Sequence, residues 1–299
     1  MAALRSDTAA PAQPDPAGDG PGAVRLRVLR WRDARSRPLD DWLAEEVPVA
    51  LQYNGVSHAV MLATPLDLED FALGFSLSEG IIAEPGELYD CEVLREPRGI
   101  TLQLEVATRC FEGLRERRRS LAGRTGCGLC GTDSLDQALR PVPPLAPQAG
   151  SRPVASRAIA RALRALRARQ PLNELTGSVH AAGWCDAEGR LLLLREDVGR
   201  HNALDKLVGA LARAGADAGS GFVVVTSRAS VEMVQKAAQA RVPLFVAVSA
   251  PTALAVRTAR DAGMSLVGLA RGDDLVIYSG EQRIALEASP SPSRSLIPT

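Results

Sequence analysis

Phe222-Val223-Val224-Val225-Thr226 and Leu244-Phe245-Val246-Ala247-Val248 are two short apolar runs without a polar break, each followed by a longer amphipathic stretch. A strand with one face in water alternates apolar and polar residues. A run with no polar interruption is covered on both sides, which is the condition of a sheet held between two layers of helix. Working outward, the periodicity predicts helices over residues 201–212, 230–240 and 252–262, and further strands over 191–195, 265–269 and 275–278. Strand and helix alternate, so the expected fold is α/β, with a three-layer domain over residues 151–285.

The chain before this domain has a different texture. Residues 24–29, Val-Arg-Leu-Arg-Val-Leu, alternate with period two, the pattern of a half-buried strand. Apolar runs over 47–53 and 58–63 flank Asn54-Gly55, a dipeptide that favours the two-residue turn of a hairpin. Residues 67–77 place Leu68, Phe71, Phe75 and Leu77 near one helical face, with acidic residues in the first turn, and 91–95 and 100–106 read as another strand pair. This gives a smaller α+β domain over residues 24–140. Pro141, Pro143, Pro144 and Pro147 interrupt either kind of element, so 141–150 reads as a linker. Residues 1–23 and 286–299, poor in bulky apolar side chains, read as disordered tails. Just after the linker, Arg157, Arg161, Arg164 and Arg167 fall on one face of a basic amphipathic helix, either a solvated face or a surface for a partner.

Composition excludes some functions. Lys+Arg and Asp+Glu both number 35, so bulk charge does not hold this chain to nucleic acid, although a local basic pocket is compatible with the balance. The N-terminus lacks the basic-then-apolar order of a secretory signal, and no apolar run approaches the roughly 20 residues that span a bilayer. The expected location is the cytoplasm, where five cysteines do not imply a disulfide scaffold. Cys91, Cys110 and Cys185 read as isolated small packing residues.

Gly126-Cys127-Gly128-Leu129-Cys130-Gly131 is different. Three glycines leave both thiols poorly shielded, and the arginines of residues 115–119 lie upstream, favouring the thiolate that acts as nucleophile. Three readings compete for the pair. A structural zinc site wants four ligands. A thioredoxin-like redox pair belongs where a strand enters a helix. A sulfur-carrying thiol needs exposure and a good leaving group.

Two further constellations suggest a ligand pocket. Arg195-Glu196-Asp197-Val198-Gly199-Arg200-His201-Asn202-Ala203-Leu204-Asp205-Lys206 joins a strand to a helix start, where α/β sheets bind ligands; the competing reading makes Glu196, Arg200 and Lys206 a surface ion-pair cluster. Residues 176–183 read as a small-residue loop carrying His180, which with His201 is a candidate for the same pocket. Thr226-Ser227-Arg228-Ala229-Ser230, Ser249-Ala250-Pro251-Thr252 and Gly268-Leu269-Ala270-Arg271-Gly272-Asp273 each follow an expected strand. Parallel strands bring all three to one edge, where small hydroxyl residues, Arg228, Thr252 and Arg271 suit phosphate oxygens.

These motifs, in this order, resemble the FdhD family, the formate dehydrogenase accessory sulfurtransferases. The resemblance rests on Asp70-Phe71-Ala72-Leu73-Gly74-Phe75 with Ser78-Glu79-Gly80-Ile81-Ile82, the Cys-Gly-Leu-Cys-Gly segment, Thr176-Gly177-Ser178-Val179-His180, residues 196–206, Ser227-Arg228 through Val234-Gln235-Lys236-Ala237-Ala238, and Val248-Ser249-Ala250-Pro251-Thr252. It covers about residues 25–285 and implies a cytidine-deaminase-like C-terminal domain. It implies a carrier that accepts persulfide sulfur from a cysteine desulfurase and transfers it to the molybdenum (or tungsten) bis-guanine-dinucleotide cofactor of formate dehydrogenase. Cys127 then bears the persulfide with Cys130 as accessory, and Leu269-Ala270-Arg271-Gly272-Asp273-Asp274 is the cofactor-binding stretch, in which Asp273-Asp274 departs from the usual pattern. The zinc-deaminase signature of His-x-Glu and Pro-Cys-x-x-Cys is missing, so no metal is implied. Implied partners are the desulfurase and the formate dehydrogenase catalytic subunit, not nucleic acid or membrane, and the reading allows a homodimer. A non-enzymatic chaperone that only holds the cofactor and a thiol–disulfide redox protein are the rival functions.

Overall fold

In the computed structural model the described residues are 22–122, 142–145 and 152–286, the side chains of 117–122 excepted. Strands β1 (Ala23–Arg32) and β2 (Arg35–Ala44) form a two-stranded antiparallel ribbon. Its turn residues, Asp33 and Ala34, both have positive φ, as the tight turn matching strand twist requires. Next come β3 (Val47–Tyr53), β4 (Val56–Ala63), helix α1 (Leu68–Ser78), β5 (Leu88–Glu96), β6 (Gly99–Val106) and helix α2 (Thr108–Ala122). The four strands make one sheet in the order β4-β3-β6-β5, with β3 and β6 parallel. The expected hairpin at Asn54-Gly55 is present. Alternate residues Val49, Leu51, Tyr53, Leu102 and Leu104 point under α1 and pack on Phe71 and Phe75. Fully burying one such side chain contributes about 1.5–3 kcal/mol.

The second part begins with β7 (Val154–Ala155), α3 (Ser156–Ala168) and α4 (Pro171–Thr176). It continues through β8 (His180–Asp186), β9 (Leu191–Asp197), α5 (Arg200–Arg213), β10 (Gly221–Val225), α6 (Val231–Gln239), β11 (Leu244–Ala247), α7 (Ala253–Asp261), β12 (Ser265–Arg271), β13 (Asp274–Ser279) and β14 (Ile284–Ala285). Six of these strands form a mixed sheet ordered β13-β12-β11-β10-β8-β9, in which β10, β11 and β12 are parallel. Val223, Val225, Phe245 and Ala247 face α5, α6 and α7; Phe222, Val224, Leu244 and Val246 face α3. The unbroken apolar runs are therefore buried on both sides, and the fold is α/β with three layers here.

Three details differ from the sequence reading. Residues 176–183 are not a loop: Gly177, at φ 67°, closes α4, and His180 opens β8, which lies between β10 and β9 in the sheet. Val142 and Leu145, inside the expected linker, pack on the core beside α7, with Leu145 donating its N–H to the Ala262 carbonyl at 2.8 Å. Of the expected tails 1–23 and 286–299, Gly22 is buried and Ala23 opens β1, while residues 1–21 and 287–299 lie outside the described residues. No helix among the described residues is long and apolar enough to cross a membrane.

Candidate functional site

The parallel strands β10, β11 and β12 end at one edge of the six-stranded sheet, and the antiparallel neighbour β8 starts there. Ala229 bridges Pro251, Thr252 donates its N–H to the Ala229 carbonyl at 3.0 Å, and Leu269 donates to the Ser249 carbonyl at 3.2 Å. The three segments expected to meet do so through backbone contacts. Gly268 is needed at the junction, because a Cβ there would sit 2.7 Å from Pro251 Cδ.

The third segment is not a loop. Strand β12 continues to Arg271, which pairs with Asp274 across a Gly272-Asp273 turn, so Leu269 to Asp274 form the tip of the β12–β13 hairpin. Ala270 turns into the core beneath α3, while Arg271, Gly272, Asp273 and Asp274 are exposed. Asp273 lies 3.6 Å from Arg164 of α3. Thr252 Oγ1 accepts the Ala255 N–H at 3.3 Å and so caps α7, while Arg228 is exposed.

His180 lies beside Thr226, Nδ1 to Oγ1 at 3.4 Å. His201, in the first turn of α5, approaches Glu232 of α6, Nε2 to Oε2 at 3.0 Å. Burial, with help from the Arg200 guanidinium, lowers the pKa of both imidazoles. Arg200 Nε is buried and has no hydrogen-bond partner among the described residues. A guanidinium donor at a helix start, next to His201 in the chain, suits the charge of an anion.

Beneath this edge, the N-terminal sheet is fastened to the six-stranded sheet by buried charge. Lys206 Nζ lies 2.6 Å from Asp197 and donates to the Thr64 carbonyl at 2.9 Å. Asp197 also accepts the Thr64 and Gly199 N–H groups and the Asn202 amide. Lys236 of α6 meets Asp205 at 2.9 Å and Glu79 at 2.7 Å, and Ser78 donates to Asp205 at 2.6 Å. Burial pushes the Asp205 carboxyl up to about 6. For Lys236 burial works downward, but Asp205 and Glu79 outweigh it and hold the amine above the ordinary lysine value. Asp70 is gripped by Arg195 at 2.6 Å and Arg213 at 3.0 Å. Glu196 accepts the Leu172 and Asn173 N–H groups at the start of α4, and burial raises its pKa. Glu196 and Lys206 are thus interior groups rather than a surface ion-pair cluster. Sequence reading missed the network as a whole, although charges set among apolar residues of α1, α5 and α6 were its signal.

Residues 44–285 match the FdhD/NarQ family. The chain belongs to that family. It is 58% identical over 265 residues to a protein of Variovorax paradoxus named sulfur carrier protein FdhD, covering 88% of this chain and 94% of that one. It is 54% identical over 278 residues to a Cupriavidus necator protein of the same name, covering 92% and 96%. A crystal structure assigned to a formate dehydrogenase accessory protein of Desulfotalea psychrophila superposes with a TM-score of 0.70 at 24% identity, covering 89% of this chain and all of that one; this similarity speaks for the fold.

Cys127 and Cys130, the pair that the FdhD resemblance marks out, lie outside the described residues, which resume at Val142 after α2 ends at Ala122. The other three cysteines are described, free, and suppressed as nucleophiles. Burial pushes Cys185 up to about 12 and Cys91 up to about 11. Cys110, raised by burial and then by Glu87, donates to that carboxylate at 3.3 Å in a cleft of about 280 Å³ lined also by Arg109 and Gly80.

Proposed function

We propose that this protein is a sulfur carrier: it takes sulfane sulfur from a cysteine desulfurase as a persulfide on Cys127 and passes it to the molybdenum or tungsten bis-guanine-dinucleotide cofactor destined for formate dehydrogenase. The observation that carries this reading is identity above half, over nearly the whole chain, with proteins named sulfur carriers, in a sequence with one glycine-flanked cysteine pair. The raised pKa values of Cys91, Cys110 and Cys185 support it from the other side, since none of the three is readily a thiolate at neutral pH.

Loading is an exchange reaction. The Cys127 thiolate attacks the outer sulfur of the donor persulfide, a new S–S bond forms, and the donor thiolate leaves. In delivery the acceptor attacks the outer sulfur, and the bonding electron pair departs on Cys127. Arg124 and the glycine amides around the pair favour that leaving group, with Cys130 as an accessory thiol. The cytoplasm is the proposed setting.

For the dinucleotide, the sheet edge offers Arg200, Arg228, His180 and His201 to phosphate, with the 269–274 hairpin beside it. Arg200 Nε is the group best suited, because a phosphate oxygen there satisfies a buried donor that has no partner among the described residues. The reading is tested by incubating the protein with a cysteine desulfurase and cysteine, alkylating, and mapping the added sulfur by mass spectrometry. Sulfur on Cys127, absent from Cys127→Ala, is expected; sulfur confined to Cys91, Cys110 or Cys185 overturns it.

A further inference from the structure

Glu232 is the odd charge at the strand-end edge. Arg200, Arg228, His180 and His201 gather there with small hydroxyl residues, the chemistry of an anion site, yet an exposed carboxylate sits among them in the first turn of α6. Its Oε2 lies 3.0 Å from His201 Nε2 and accepts from Ser230 Oγ at 3.4 Å. Among the described residues Oε1 makes no hydrogen bond or ion pair. His201 follows Arg200 directly in the first turn of α5, so one imidazole links the guanidinium suited to phosphate with this carboxylate.

An acidic residue in the first turn of a helix is favoured by the dipole, and that is an ordinary reason for Glu232. The dipole does not explain a carboxylate beside a phosphate, where like charges repel. A nucleotide removes the conflict, because it offers the carboxylate a part other than its phosphates. A carboxylate only accepts hydrogen bonds, and it does so with two oxygens. Guanine turns two adjacent donors toward such a partner, N1–H and the N2 amine. Adenine, cytosine and uracil each set a donor beside an acceptor. Asp273 and Asp274, the exposed carboxylates of the neighbouring hairpin, have other company. Asp273 faces Arg164 of α3 at 3.6 Å, and Asp274 stands opposite Arg271.

We propose that Glu232 selects guanine: its two oxygens accept the N1–H and N2–H donors of the base while Arg200 takes a phosphate of the same nucleotide. This rests on the nucleotide reading above and adds to it the group that reads the base. Oε1 is open to one donor, and Oε2 exchanges the long Ser230 contact for the other while His201 steadies it.

Calorimetry of the full chain with the diphosphates of guanosine, inosine, xanthosine and adenosine tests this. The four share sugar and phosphates. Hypoxanthine lacks the N2 amine, xanthine carries a carbonyl in its place, and adenine presents an acceptor at N1. The wild type should bind GDP tightest, the inosine form about tenfold more weakly, and the xanthosine and adenosine forms about a hundredfold more weakly. Glu232→Gln turns one acceptor into a donor. It should weaken GDP about tenfold or more and tighten xanthosine diphosphate, whose carbonyl then meets an amide N–H, so that the order reverses. Arg200→Ala should instead weaken all four alike and leave their order unchanged. A purely helix-stabilising role would lower the melting temperature of Glu232→Gln without touching the order. That result overturns the proposal but leaves the nucleotide reading standing, as does a wild type that binds the four equally. Reversal of the order in Asp274→Asn rather than in Glu232→Gln also overturns it. A wild type that binds none of the four overturns both.

Discussion

Lys206 and Asp197 form an ion pair at 2.6 Å in which both side chains are wholly buried. Their attraction offsets a large desolvation cost only while both partners and the Thr64 and Asn202 hydrogen bonds stay in place. Lys206→Ala leaves a carboxylate in the interior without its counter-charge. The expected loss is about 3–5 kcal/mol, read from equilibrium denaturant unfolding. A loss within the scatter of surface substitutions would mean that water reaches this site.

Helices α1 and α5 cross at glycine. A Cβ on Gly74 would fall 1.7 Å from the Asp205 carbonyl oxygen, and one on Gly209 would fall 1.9 Å from that of Asp70. Backbone cannot yield as a flexible side chain does, so Gly74→Ala and Gly209→Ala should each destabilise by about 1–3 kcal/mol or more. Because the helices carry Asp70 and Asp205, the same substitutions should loosen both ion networks. Faster hydrogen exchange in α1 and α5 together would register this.

Tyr53 and Lys236, together with the Cys91 and Cys185 thiols that burial raises, make stability fall at alkaline pH. Burial drives the Tyr53 phenol far above its ordinary value, and Asp205 and Glu79 outweigh burial to raise Lys236. Both groups keep their protons in the folded state at pH values where the unfolded chain loses them, about 10 for each. The folded state then binds more protons, so stability is fully present below that range and falls as pH rises through it. The melting temperature should decline between about pH 9 and 11, less steeply in Tyr53→Phe. Identical slopes would remove Tyr53 from the explanation.

How much of this was legible depended on whether the signal was local. The runs at 222–225 and 244–247 show two-sided burial because each is an unbroken series of buried apolar residues, and Asn54-Gly55 announces its turn because Asn54 takes φ 46° and Gly55 φ 78°. Strand β2 was not assigned from the sequence: it carries Pro38 and Asp40-Asp41, which disfavour a strand but are accepted in an exposed ribbon. Strand β8 was missed for the opposite reason. Its Ala181-Ala182-Gly183 is small because helices press on both faces, and a Cβ on Gly183 would meet Leu191 at 2.5 Å and Leu166 at 3.1 Å. The charged core pairs residues more than a hundred positions apart, such as Thr64 with Lys206, and no periodicity encodes that. At the sheet edge, the meeting of the three strand-end segments was legible, but the fate of individual side chains was not: Ala270 turned inward and Thr252 became a cap.

If Arg200 receives a phosphate, GDP should bind and Arg200→Ala should weaken it by about tenfold or more, the worth of a charge-assisted hydrogen bond. His180 and His201 have lowered pKa values, so they are largely neutral at neutral pH and lend an anion little charge. Protonation at lower pH adds positive charge beside the ligand. Affinity measured by calorimetry should therefore rise only as pH falls below about 6.5, and the rise should shrink in His180→Asn. A flat profile would place the phosphates away from the histidines.

The two cysteines of the glycine-flanked pair should not be equivalent. With Cys127 as carrier and Cys130 as accessory, Cys127→Ser is expected to abolish formate dehydrogenase maturation, while Cys130→Ser retains measurable activity. The pair is three residues apart in a glycine-rich stretch, close enough in sequence for Cys130 to attack a persulfide on Cys127. That attack joins the two cysteine sulfurs in a disulfide and releases the outer sulfur as hydrosulfide, which takes the bonding electrons. In the absence of an acceptor the second thiol is therefore a route of loss, and persulfide on Cys130→Ser should outlive that on the parent protein. A redox protein behaves otherwise, because one thiol cannot close a disulfide and both substitutions are equally fatal. Formate dehydrogenase activity in cells expressing each variant at matched levels, set beside the persulfide lifetime by mass spectrometry, separates the two. Complete and equal loss in both variants, with no gain in lifetime, would replace carriage by Cys127 alone with a two-cysteine relay.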